Sequence, residues 1–153
     1  MPRTVTITGA RSTEHLSGAE LTALFELYVL PFAEPDAHFY VGGALGIDTL
    51  ALDWLAEATT SQVSVVVPRS VRDQPDAAVE AITTWYQVGR LAEVVELKTD
   101  ELGTDGYFAR NRWMVDRSEF VIGFPYSGDQ VSGTAYTLGY AAEQGKALLI
   151  VQI

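Results

Sequence analysis

The chain has 153 residues, the length of one compact domain, and 48% of them are hydrophobic, enough to fill a core and to exclude intrinsic disorder. It has no cysteine, which excludes disulfides, thiolate catalysis and cysteine-based zinc sites. Lys and Arg number 10 against 20 Asp and Glu, so the net charge is −10, a field that repels polyanions and argues against nucleic acid as a partner.

The first apolar run, Arg3–Gly9, reads as a strand and lacks the basic-then-apolar pattern of an export signal. With no run of about 18 apolar residues, neither a membrane span nor a membrane partner is expected, and the expected location is cytoplasmic. A helix follows, opened by the capping box Ser17–Glu20 and carrying Leu21, Leu24, Phe25, Tyr28 and Phe32 on one face. The second strand is Ala37–Gly42. The second helix keeps Ile47, Leu50, Ala51, Trp54, Leu55 and Ala58 at helical spacing.

Strand Gln62–Pro68, helix Asp76–Tyr86 and strand Ala92–Leu97 come next, then a polar loop, Leu97–Gly106. Helix Phe108–Arg117, strand Glu119–Phe124, helix Thr134–Gln144 and strand Ala147–Ile153 complete the chain. The strands are near-continuous Val/Ile runs that alternate with helices. That pattern predicts one α/β domain over residues 1–153: a doubly wound, mainly parallel, Rossmann-like sheet in three layers, α/β/α.

Ligands of such sheets bind beyond the carboxyl ends of the strands. Those ends carry "TGAR" (Thr8, Gly9, Arg11), "GGALGID" (Gly42, Gly43, Gly46, Asp48), "PRS" and "PYSGDQVSGT" (Ser132, Gly133, Thr134). The glycines permit close backbone approach, and Arg11 can fork onto a phosphate. Asp48, in a helix first turn, reads more readily as a loop brace than as a ribose contact or general base, because it would repel a bound phosphate. "SGT" reads as a phosphate cradle rather than a plain helix cap. Arg110 and Asn111 suit either ion pairing or ligand contact.

The sequence is not G-x-G-x-x-G with a ribose-binding acid, not a Walker loop and not G-x-S-x-G. His15 and His38 have no metal-ligand spacing, so no metal is expected.

"TGAR", "GGALGID", "RNRWMVD" and "SGT" before "AAEQGK" together resemble the superfamily that joins DNA-processing protein A (Smf) with the Lonely-Guy phosphoribohydrolases. The order is kept over most of the chain, most like the small stand-alone nucleotide-binding members. The resemblance implies a Rossmann-like fold, a nucleotide ligand and a homodimer. The Pro-Gly-Gly and Glu of the Lonely-Guy enzymes are missing, which speaks against N-glycosidic cleavage.

The expected function is therefore binding of a phosphorylated nucleotide as a sensor or regulatory module, with no catalytic residue and no cofactor beyond that ligand. Its site is expected at Thr8, Gly9, Arg11, Gly42, Gly43, Gly46, Asp48, Arg110, Asn111, Ser132, Gly133 and Thr134. The alternatives are a phosphoribohydrolase acting on nucleoside 5′-monophosphates and an Smf-like single-stranded DNA binder.

Overall fold

The computed structural model describes residues 1–99, 104–127 and 133–153. Six strands, β1 (Thr4–Gly9), β2 (His38–Gly42), β3 (Gln62–Val67), β4 (Glu93–Glu96), β5 (Phe120–Phe124) and β6 (Ala147–Ile150), form one parallel sheet in the order β4-β3-β2-β1-β5-β6. Helices α1 (Gly18–Tyr28), α2 (Ile47–Ala58), α3 (Asp76–Gln87), α4 (Thr104–Asp116) and α5 (Gly133–Glu143) connect them.

The chain steps outward from β1 to β4, then crosses back to β5 on the other side of β1. Because such crossovers are right-handed, the reversal puts α1–α3 on one face and α4–α5 on the other. β1 and β5 are neighbours, registered from Val5↔Phe120 to Gly9↔Phe124, so the reversal point lies at their carboxyl ends. The doubly wound, three-layer architecture expected from the alternation is the one observed.

The two faces differ in chemistry. Val5, Ile7, Phe39, Val41, Val63 and Val65 meet Leu21, Phe25, Ile47 and Leu55 of α1 and α2 in the main apolar core. The opposite face carries Thr6, Tyr40 and Ser64, with smaller clusters around Met114 and Leu138. There Thr6 and Ser118 share a buried 2.6 Å hydrogen bond, and the Ser118 hydroxyl also donates to Met114 O. The capping box at α1 forms as expected, with Glu20 N–H donating to Ser17 Oγ and Ser17 N–H to Glu20 Oε1.

Some boundaries differ from expectation. The last strand stops at Ile150, and α4 begins at Thr104 rather than Phe108. The start of the expected polar loop is held in place: Lys98 and Thr99 donate their N–H groups to Arg69 O and Pro68 O. Short 3-10 turns at Leu30–Phe32 and Val71–Asp73 were not expected.

Gly9 ends β1 where α2 crosses it. A Cβ there would stand 2.5 Å from Ile47 Cβ, so the missing side chain admits a helix rather than a ligand. Gly9→Ala should cost about 1–3 kcal/mol through overpacking. Chemical denaturation measures it, and unchanged stability would mean that α2 can slide outward without loss.

Candidate functional site

At the carboxyl edge a connected group of polar side chains spans both helical layers. Asp48 in the first turn of α2 and Arg110 in α4 are 6% and 3% exposed, and their charged groups approach to 4.0 Å. They meet above Gly42, the last residue of β2. A Cβ on Gly42 would lie 2.5 Å from both Arg110 Nη1 and Asp48 Oδ2, so only glycine leaves room for the pair.

Arg110 also donates from Nη1 to Val66 O at 3.2 Å and from Nε to Asn111 Oδ1 at 2.7 Å. Asp48 Oδ2 accepts the Ala44 N–H at 3.2 Å, and Thr49 Oγ1 donates to Ala44 O at 2.7 Å. Asp48 thus closes its own loop and anchors α4, which is how a brace behaves. Burial pushes its carboxyl up, against the Arg110 guanidinium, the Ala44 N–H and Arg11, which pull it down. Burial likewise lowers the Arg110 guanidinium, against Asp48.

Gly46 takes φ +76° at the head of α2, where a Cβ would run into the backbone carbonyls of Ala10 and Arg11. The Ile47 N–H donates to Ala10 O at 3.0 Å. This first N–H of α2 is therefore spent on the β1 loop. The cost of an ordinary side chain at Gly43 is likewise set by protein, since its Cβ would meet Val67 Cγ1 at 2.7 Å and Gln74 at 3.2 Å.

Arg11, exposed at the end of β1, lies with its guanidinium 4.7 Å from the ring centre of Tyr107, and Arg110 approaches the same ring at 5.5 Å. Arg11, Tyr107, Ala44, Leu45 and Pro75 line a small open cleft of about 80 Å³. None of these lining residues is a carboxylate.

On the other side of the cluster, Gly133 at the head of α5 is exposed, and its Cβ position lies 3.9 Å from Asn111 Nδ2. Thr134 and Thr8 are buried at 4% and 6%. Ser132, one of the expected cradle residues, lies outside the described residues.

Arg11, Gly42, Gly43, Asp48, Arg110, Asn111 and Gly133 thus fall along the adjoining ends of β2, β1 and β5. Gly9 and Gly46 serve the packing of α2 beneath them. Sequence reasoning missed Tyr107, Leu45, Pro75 and Gln74. Tyr107 is one turn before Arg110, so their shared helix face carried a signal; the other three carried none.

The fold places the chain among Rossmann-like α/β proteins. No protein-family model matches it, and no curated protein matches it. Solved structures that share its architecture include two of DNA processing protein A. One, DNA processing protein A from Helicobacter pylori, in a study of its single-stranded DNA binding mode, has 24% identity and a TM-score of 0.69, over 97% of this chain and 65% of that one. The other, DNA processing protein A from Streptococcus pneumoniae, has 18% identity and a TM-score of 0.55, over 97% and 58%. The fold is therefore that of DNA processing protein A, as the motifs suggested, and the chain spans less than two thirds of either structure.

This likeness corrects one expectation. The acidic balance was read as arguing against nucleic acid, yet the Helicobacter protein of this fold binds single-stranded DNA. The physical reason is that net charge sums over a surface that a strand touches only in part. Helices α1–α3 carry seven acids and no Lys or Arg. The described loops at the carboxyl edge carry four cations, Arg11, Arg69, Arg72 and Lys98, against two acids, Glu14 and Asp73.

The Asp48–Arg110 pair yields a prediction. A carboxyl whose pKa is raised in the folded state binds more protons folded than unfolded, so stability falls as pH rises above the ordinary carboxylate range and recovers on acidification. Arg110→Met removes the partner charge and should cost about 3–5 kcal/mol at neutral pH. That deficit should narrow between about pH 8 and about pH 5. Denaturation at both pH values measures it, and a pH-independent deficit would mean that Asp48 keeps the same charge in the variant as in the wild type across this range.

Proposed function

We propose that the chain binds single-stranded DNA across the carboxyl edge of its sheet. The observation that carries this reading is the Arg11–Tyr107 pair at the mouth of an open cleft. An exposed guanidinium beside an aromatic face supplies the two elements such sites use: a cation for phosphate and a ring on which a base stacks.

The size of this cleft argues against an engulfed molecule at this place. Pockets that bury small ligands span roughly 300–1,000 Å³, and the cleft has about 80 Å³. A ligand there lies across a groove. The shared fold adds an argument by analogy.

A second reading, a free phosphorylated nucleotide, rests on the head of α5. There exposed Gly133 and the amide of Asn111 flank a helix N-terminus suited to one anion. Under either reading the chain is a binding module of the cytoplasm, working as a homodimer. Neither reading assigns catalysis, since Asp48 is sealed beneath Arg110 and holds its own loop.

Fluorescence anisotropy with a labelled oligonucleotide of about 12 nucleotides tests the proposal. Binding is expected, with Arg11→Ala weakening it roughly ten- to a hundredfold through loss of a charge-assisted contact. Tyr107→Ala should cost about five- to a hundredfold through lost stacking. A nucleoside monophosphate that binds as tightly as the oligonucleotide favours the second reading. No binding by either ligand overturns both.

A further inference from the structure

Gln74 follows the 3-10 turn after β3 and is 5% exposed. Neither its Oε1 nor its Nε2 has a hydrogen-bond partner, and these are the buried side-chain polar atoms so orphaned among the described residues. Burying an amide unpaired is costly, and folded proteins rarely tolerate it. Apolar residues of the same size would fill this place without that penalty, so the amide calls for a use outside the free fold.

Its position supplies one. Gln74 Oε1 stands 3.2 Å from where a Gly43 Cβ would be, so glycine at 43 is what lets the amide sit there. The residue after Gly43 is Ala44 and the residue after Gln74 is Pro75; both line the cleft, together with Leu45, Arg11 and Tyr107. Gln74 is thus a chain neighbour of one cleft wall, and its amide lies against the chain neighbour of another. Leu45, an apolar wall side chain, is 42% exposed.

We propose that Gln74 is the base-reading residue of this cleft. The inference rests on the single-stranded DNA reading above and adds selectivity to it. A primary amide offers one donor and one acceptor side by side, the complement of a nucleobase edge. Tyr107 supplies the stacking face, Arg11 meets the phosphate at the rim, and the base edge displaces Leu45 to pair with Gln74. Phosphate and stacking contacts do not distinguish bases, whereas the paired amide does.

The test compares dA, dT and dC homo-oligomers of about 12 nucleotides on wild type and on Gln74→Met, which keeps the volume and removes the amide. The wild type should rank the three oligomers over a range of about tenfold or more. Gln74→Met should bring them within about twofold of each other. The variant should also melt at a higher temperature than wild type, because it no longer buries an unpaired amide. Equal affinities in the wild type overturn the inference while leaving DNA binding intact, as does a ranking that survives in Gln74→Met. A lower melting temperature in the variant overturns it too, since the amide would then have a partner within the fold. Absence of binding by every oligomer overturns the single-stranded DNA reading, and this inference with it.

Discussion

The carboxyl edge of this sheet depends on one buried ion pair. Asp48 and Arg110 come from helices on opposite faces and meet where β2 ends, so the pair is a direct polar link between the two layers at that edge. Taking both charges out of water is expensive, and an attraction across 4.0 Å offsets that only in part. The additional bonds, to Ala44 N–H, Val66 O and Asn111 Oδ1, make the arrangement tenable. Its gain is positional. With Arg110 fixed, Tyr107 one turn earlier and Asn111 beside it are fixed too, and these face Arg11 and Gly133.

Glycine is the second half of that constraint. The glycines after β1 and β2 invite the view that a ligand presses against bare backbone. What presses on the missing Cβ positions is protein: Ile47 at Gly9, the ion pair at Gly42, Val67 and Gln74 at Gly43, and the β1 loop at Gly46. The loops are thin because two helices and two loops converge on a narrow strip. The open cleft is left to longer side chains, Arg11, Tyr107 and Leu45.

This division explains what the sequence made legible. Val-rich strands alternating with amphipathic helices specify a parallel sheet almost without ambiguity, and the α1 capping box marked its own boundary. α4 was placed late because its buried positions include Arg110 and Asn111 beside Met114 and Val115, which blurs the apolar stripe that periodicity relies on. The site was legible where it follows strand ends. It was illegible at Gln74, whose meaning lies in a partner it lacks. Composition misled on nucleic acid because net charge records totals and not their placement.

The placement of charge also bears on kinetics. A polyanion approaching from the α1–α3 side meets seven carboxylate-bearing positions with no cation among them, one of which, Asp48, is buried; one approaching the carboxyl edge meets, among its described loops, Arg11, Arg69, Arg72 and Lys98 against Glu14 and Asp73. For a strand bound as proposed, the net negative charge would slow encounter at low ionic strength, where screening is weak, while the described cations would make the close contacts. Added salt screens the distant repulsion and weakens the close attraction together, so association should quicken as the complex becomes shorter-lived. For a strand bound as proposed, the acidic layer would act as an orienting fin that turns collisions toward the carboxyl edge.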